Sequence, residues 1–405
     1  MDTLETVFGG GMVADRAVGR MLGAHPKWGS RDRAFVAGTV YEVVRWRRRL
    51  EVLAGAGNGS EPLPETAQVT TETGELAARE HWWRLCGSLW DSQEFDRPEW
   101  APWPEVSPDG RAARESALAA APRAVRASLS DEFDAAGFAE LGDRWEPELT
   151  ALNQPAPVFL RVNAMRVKLA TVREELLEHG IETAPVTGAP MALQVVNGRS
   201  VTAKMRESGR FEIQDAASQQ VAPFLQVEPG QKVIDTCAGA GGKTLHLAAL
   251  LAGKGELRAL DVEASKLAIL RQRAARAGAK VWTSVISDEV LAGMAGWADR
   301  VLVDAPCSGS GTLRRQADLK YRITAESLAA VRRVQREVLE KYSKLVRPGG
   351  KLVYATCSVL PGENQAQAAW FSGAFPDFEF EEDRTVSPAE SGWDGFYMAR
   401  WGRRR

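Results

Sequence analysis

The chain has 405 residues, 44% hydrophobic and 26% charged, with a formal net charge of −2. These proportions exclude a disordered chain and an overall polybasic one, and the length allows two or three domains, each with its own core. No stretch approaches the roughly 18 uncharged apolar residues of a membrane span, and the opening MDTLETVFGG lacks the basic and apolar regions of a secretory signal. A cytoplasmic protein with no membrane association is expected. Four cysteines, at 86, 237, 307 and 357, form no CxxC pair and no Cys/His cluster of zinc spacing. Free, reduced thiols are therefore expected, with neither a disulfide framework nor a structural metal.

Residues 1–150 read as a mostly helical domain. Val36, Val40, Val43 and Leu50 recur at helical spacing, and RAARESALAAAPRAVRASL is rich in helix formers. AGAGNGSEPLPETAQVTTETGE reads as an exposed loop, and FDRPEWAPWPEVSPDG carries too much proline for regular structure. Eight of the 13 tryptophans fall in this part, where core anchors and loop staples are a better expectation than base-stacking platforms. Positive charge concentrates in RWRRR at 45–49, LRRQADLKYR at 313–322, VRRVQR at 331–336 and the terminal RWGRRR. Such Arg runs read either as solvated helix faces or as phosphate contacts.

From about residue 156 the pattern changes. PVFLRVN and RFEIQD read as strands around the helix LATVREELLEHG, making a small α+β linker or RNA-docking subdomain over 151–225. KVIDTC, GELRALD, VWTSVI, DRVLVD and KLVYATC then read as strands that alternate with helices over 226–405. In the long segment from Thr324 to Arg347, Leu328, Val331, Val334, Val338, Tyr342 and Leu345 make one apolar stripe to lie on a sheet. The fold class is α/β, a doubly wound sheet preceded by a mostly helical domain. In such sheets ligands bind outside the carboxyl ends of the strands.

Several strand ends carry candidate binding residues. After the strand ending at Ile234 comes DTCAGAGGKT. A phosphate loop ending at Gly242-Lys243-Thr244 would need glycine at 237, where the chain has Cys237, so nucleotide hydrolysis is not indicated. The small residues Ala238, Gly239, Ala240, Gly241 and Gly242 instead let backbone amides approach a ligand at the start of a helix, whose positive end favours a carboxylate. Asp261 ends the second strand, placed to accept from ribose hydroxyls, and Asp288 follows the third, placed to meet an adenine amino group. That order suits a nucleoside carrying an amino-acid carboxylate, such as S-adenosylmethionine.

At DTCAGAGGKT, LDVEASKL, DRVLVDAPCSGSGTLRR, RPGGKLVYATCSVLPGEN and DGFYMARW, roughly residues 150–401, the chain resembles the RNA 5-cytosine methyltransferases typified by the bacterial ribosomal-RNA enzymes. The resemblance implies a Rossmann-like methyltransferase sheet. It implies that Cys237 to Lys243 and the acids Asp261, Asp288 and Asp304 hold S-adenosylmethionine, that Cys357 is the nucleophile, and that Cys307 assists release. The family usually has proline where this chain has Ala240. SRDRAFVAGTVYEVVRWRRRLE also resembles part of an antitermination-factor-like helical RNA-binding domain, although 76–130 depart from that pattern.

The chemistry accounts for the residue types. Carbon 5 of cytosine is too weak a nucleophile to take a methyl group directly, whereas a thiolate added at carbon 6 makes it electron-rich. Only a few per cent of an ordinary thiol is ionised at pH 7, so Cys357 needs activation. Asp304 is the candidate to supply a proton near ring nitrogen 3 as charge builds. His25, His81, His179 and His246 all lie outside the motifs. Ribosomal RNA is the expected substrate and a metal-free monomer the expected form. A transfer-RNA enzyme would share every catalytic residue, and a non-catalytic RNA-binding assembly factor would not need both cysteines and the donor loop.

Overall fold

The computed structural model describes residues 1–55, 72–96, 98–100, 102–103, 106–198 and 200–405, with side chains from 79 onward in the second stretch. Most of the glycine-rich loop expected after residue 54 lies outside the described residues. The chain divides into two compact units, Met1–Asn153 with Leu313–Ala325, and Gln154–Thr312 with Glu326–Arg405. Sequence reading carried 226–405 as one domain; the division instead groups 313–325 with the helical unit.

Side chains of that segment explain the grouping. Lys320 is fully buried, and its ammonium nitrogen donates to the carbonyl oxygen of Arg45 at 3.0 Å and to the side-chain oxygen of Asn153. The Tyr321 hydroxyl donates to the Val44 carbonyl at 2.9 Å. Both carbonyls belong to the helix Ser30–Leu53, which departs from helical geometry at Trp46 (φ −117°, ψ 19°). Outside donors that capture main-chain carbonyls in this way are a recognised cause of a kink. The surrounding core contains Leu4, Val18, Val43, Val44, Leu85 and Cys86. Burial pushes the Cys86 thiol up to about 12, so it acts as a small apolar side chain. The tryptophans divide: Trp82, Trp103 and Trp145 are core residues, whereas Trp100 is 65% exposed.

For Arg45, Arg47 and Arg48 of the first Arg run neither reading holds, and Arg314 departs from both as well, whereas Arg49 is exposed. Arg45, Arg47, Arg48 and Arg314 are each less than a tenth exposed. Arg47 pairs with Glu51 at 3.1 Å and Arg48 with Asp131 at 2.8 Å. Arg45 donates to the Arg314 carbonyl at 3.0 Å, and Arg314 to that of Ala151 at 3.1 Å. A guanidinium presents five donors in one plane, so it can be buried where several carbonyl and carboxylate oxygens converge. In sequence, such a residue is indistinguishable from a solvated one.

In the second unit, β1 (Phe159–Val162), β2 (Ile181–Val186), β3 (Ala189–Gly198) and β4 (Phe211–Ile213) form an antiparallel sheet of order β2-β3-β1-β4. Seven further strands follow: β5 (Lys232–Asp235), β6 (Glu256–Asp261), β7 (Trp282–Val285), β8 (Ala298–Asp304), β9 (Val346–Thr356), β10 (Phe378–Val386) and β11 (Phe396–Arg403). Their order is β10-β11-β9-β8-β5-β6-β7. β5 to β9 run parallel, and β11 and β10 add antiparallel to β9, so the sheet is mixed. Alternation along the strands supplies two cores: Ile234, Val301, Val303 and Tyr354 face one side, and Val233, Leu302 and Val353 the other. Because β5 lies between β6 and β8, the winding reverses there, which makes the carboxyl ends of β5 and β8 the expected crevice.

The helix Ala325–Ser343 turns a different stripe inward from the one read in the sequence. Leu328, Leu339 and Tyr342 are buried, but Val334 is 38% exposed and Gln335 is fully buried in its place. The reason is polar: Gln335 donates to the Pro306 carbonyl and to Glu363, each at 3.0 Å.

Removing Arg47 would strand Glu51, which is only 6% exposed. Arg47→Ala is expected to destabilise the helical unit by about 3–5 kcal/mol, the cost of breaking a buried pair, read as a lower urea midpoint. Because Arg47 is internal, the salt dependence of RNA binding should match that of the unaltered protein.

Candidate active site

The donor loop leaves β5 at Asp235 and enters the helix Gly242–Leu251. Gly241 has φ +92°, and a Cβ there would stand 2.7 Å from Leu270 Cγ, so only glycine allows this turn. Asp261, expected from the sequence to meet a ribose, braces the loop. Its two carboxylate oxygens accept from the backbone amides of Gly239 and Glu263, both at 2.8 Å, and so hold the loop from the end of β6. Arg161 donates to the Gly242 carbonyl at 2.6 Å, and Arg273, paired with Glu212, donates to the Ala240 carbonyl at 2.7 Å. The latter bond needs only the backbone of residue 240, so alanine in place of proline leaves the loop anchored. The amide of Ala238 donates to the Leu260 carbonyl at 3.0 Å, and Cys237 packs beside the core against Ile234 and its neighbours.

Those residues fit the S-adenosylmethionine expected from the sequence. A Cβ on Gly239 would meet no atom within 4 Å, so the loop borders open space where a ligand can approach the main chain. The free lone pairs of the Asp261 oxygens remain for hydroxyl donors. Asp288 lies just past the end of β7, its side chain 93% exposed and paired with Lys341 at 3.0 Å.

Below the loop, Asp235 is 1% exposed and accepts from the Thr244 hydroxyl at 2.7 Å. Burial raises its carboxyl to about 7 against the opposing hydrogen bond from Thr244, and the nearby Asp304 adds to the rise. Lys243 donates to Asp304 at 2.7 Å and lies 5.0 Å over the Phe396 ring. Burial works against its charge, but Asp304 outweighs that and keeps the ammonium above the ordinary lysine range.

The two motif cysteines meet. β8 and β9 are parallel neighbours, with Asp304 opposite Ala355, so Cys307 and Cys357 emerge at the same sheet end, their Sγ atoms 3.2 Å apart. The contact with Cys357, reinforced by burial, pushes the Cys307 thiol well above its usual value. At that separation either thiol can donate to the other sulfur. Gly311 lets the loops close, because a Cβ there would come within 2.2 Å of the Gly395 oxygen and 2.8 Å of the Cys357 oxygen.

A buried carboxylate that the motifs did not single out gathers both cysteine loops. Glu363, fully buried, accepts from the Ser308 amide at 2.8 Å, the Ser308 hydroxyl at 2.6 Å, the Ser358 hydroxyl at 2.7 Å and Gln335 at 3.0 Å. Ser310 and Ser358 share a hydroxyl bond of 2.9 Å. The available signal was the serine directly after each cysteine, in CSGSG and TCS; Glu363 in PGEN had no local pattern. Among the described residues, no group of three or more His, Cys, Asp or Glu could hold a metal, and no helix is long and apolar enough to cross a membrane.

Two outcomes follow from this geometry. Glu363→Gln puts a donor where four donors converge; a loss of about 1.5–3 kcal/mol is expected in urea unfolding, together with slower methyl transfer. The raised Asp235 carboxyl means that the native state holds a proton which the unfolded chain has released. The stability from this group is therefore full below about pH 4 and falls as the pH climbs towards about 7. Asp235→Asn should flatten the stability profile over that window in unfolding measured at several pH values.

Residues 222–401 match the family described as 16S rRNA methyltransferase RsmB/F, and residues 138–202 match its ferredoxin-like domain. The chain is 33% identical over 268 residues to ribosomal RNA small subunit methyltransferase B of Vibrio cholerae, covering 64% of this chain and 61% of that protein. Across the first curated relatives it spans between 51% and 65% of their length. Among solved structures, PH0851 is 22% identical with a TM-score of 0.74 over 98% of this chain and 97% of that one; at that identity the likeness speaks for the fold. A methyltransferase homologue from Pyrococcus horikoshii is 27% identical with a TM-score of 0.60, covering 69% of this chain and 97% of that one. The crevice at the strand ends and these matches agree: the chain belongs to the RsmB/F family of methyltransferases.

Proposed function

We propose that this protein methylates carbon 5 of a cytosine in ribosomal RNA, in the cytoplasm and as a monomer, through a covalent bond between Cys357 and the base. The observation that carries this reading is the 3.2 Å contact between Cys307 and Cys357 beside the Lys243–Asp304 pair, also in the second unit. When bound, S-adenosylmethionine supplies an electrophilic methyl group. The loop from Cys237 to Lys243, held by Asp261, orients it by main-chain amides, with Asp288 at the adjoining strand end.

The Cys357 thiol gives up its proton, which is relayed to ring nitrogen 3 as the sulfur adds to carbon 6 of the ring, and the displaced electron pair makes carbon 5 nucleophilic. Lys243 occupies one carboxylate oxygen of Asp304; the other holds a proton at ring nitrogen 3 as negative charge builds there. After carbon 5 has taken the methyl group, its proton must leave as the sulfur–carbon bond breaks and returns its electrons to Cys357. Cys307 serves that last step by positioning a water that takes the carbon 5 proton and passes it to solvent, while the proton held at ring nitrogen 3 returns to the Cys357 sulfur.

Cys357→Ala should abolish methyl transfer and any covalent attachment to RNA. Cys307→Ala should complete the early steps and stall the last, leaving an RNA adduct that survives denaturing electrophoresis and is lost in the double variant. A folded Cys307→Ala protein that forms no adduct with donor and its cognate RNA would remove the release role. Methylation of total RNA fractionated by size distinguishes ribosomal from transfer RNA, and no incorporation in any fraction would favour a non-catalytic factor.

A further inference from the structure

The aromatic residues of the helical unit are not all used in its core. Phe35 is 46% exposed, Phe95 51% and Trp100 65%. With Trp90 and Trp103 they line one open pocket of about 460 Å³. Phe35 and Phe95 meet edge to face at 5.9 Å and 69°, and Trp100 meets Trp103 at 6.4 Å and 87°. Trp90 links the two corners, stacked on Phe35 at 5.6 Å and tilted against Trp103 at 5.3 Å. Rings set nearly at right angles present a π face and an adjoining wall, which is a receptor for a flat group rather than a packed core.

Charge decides which flat group. Asp91 and Asp96 also line this pocket, and Glu94 and Glu99 flank it in the sequence DSQEFDRPEW. A nucleobase would bring phosphates towards these carboxylates, in a stretch, DSQEFDRPEW, where acidic residues outnumber basic ones four to one. A cation is favoured twice, by the ring quadrupoles and by the carboxylates. Guanidinium suits the corner better than ammonium because it is planar, weakly hydrated and able to stack on a ring while its edge donates to a carboxylate.

We propose that this pocket is a docking site for an arginine side chain presented by a basic protein segment. The test uses the full chain and a capped ten-residue peptide of alternating Gly and Arg, followed by calorimetry and tryptophan fluorescence. Binding is expected for this peptide, with at least tenfold weaker binding for the same peptide carrying neutral citrulline in place of Arg. Trp100→Ala, and separately Asp91→Asn with Asp96→Asn, should each weaken the Arg peptide at least tenfold. Trp100 is largely exposed, so circular dichroism should show its variant folded, and methyl transfer to RNA should be unaltered in both. No binding of the Arg peptide, equal binding of the citrulline peptide, or equal affinity in the variants would overturn the proposal. Loss of affinity for a ten-nucleotide single-stranded RNA in Trp100→Ala, with peptide binding intact, would overturn it in favour of base stacking.

Discussion

Everything at the reactive end of the sheet hangs on one buried anion. The Glu363 carboxylate is inaccessible to water and is satisfied by a backbone amide, two serine hydroxyls and the Gln335 amide. An unsatisfied charge at that depth would be costly, and donors aimed at a charge make stronger bonds than neutral pairs. Ser308 follows Cys307 and Ser358 follows Cys357, so the same anion fixes both cysteine loops. Gln335 ties in the long helix and, through the Pro306 carbonyl, the turn that leads into Cys307. The sulfur–sulfur contact is thus set by residues that neither carry nor touch the reacting groups.

Three aspartates at neighbouring strand ends do three different jobs because their surroundings differ. Asp235 is sealed under the loop with a hydroxyl donor and a second carboxylate nearby, and burial raises it. Asp261 receives two main-chain amides and acts as a brace for the glycine turn. Asp304 receives an ammonium. Nothing in the residue type separates these roles; the donor each carboxylate meets does so.

Arginine shows the same dependence on context. Part of what composition would offer to phosphate is folded inward, where Arg47 and Arg48 meet carboxylates and Arg45 and Arg314 meet carbonyls, whereas Arg49, Arg333 and Arg336 stay exposed. In the second unit Arg161 and Arg273 hold the donor loop by its backbone, and Arg400 joins Glu381, Glu382 and the Phe224 carbonyl. The acidic aromatic pocket of the helical unit is the complementary case, a place where cation-binding chemistry stands open.

Local patterns were enough for the strands β5 to β9, the glycine turn and the arrival of two cysteines at strand ends, because period-two alternation and positive-φ glycines act over a few residues. β2, β3, β10 and β11 were not read as strands: β11 is buried on both faces along Phe396–Trp401 and β10 is exposed over most of its length, so neither shows period-two alternation. The stripe of the long helix was misread by one position at Val334, because a helix records which residues are apolar but not that a buried Gln335 will find an acceptor 28 residues away. The inward-turned arginines, the grouping of 313–325 with the helical unit and the Glu363 clasp across 55 residues have the same origin. Whether a polar side chain is buried depends on partners brought together by the fold, and that information does not lie in the neighbourhood of the residue itself.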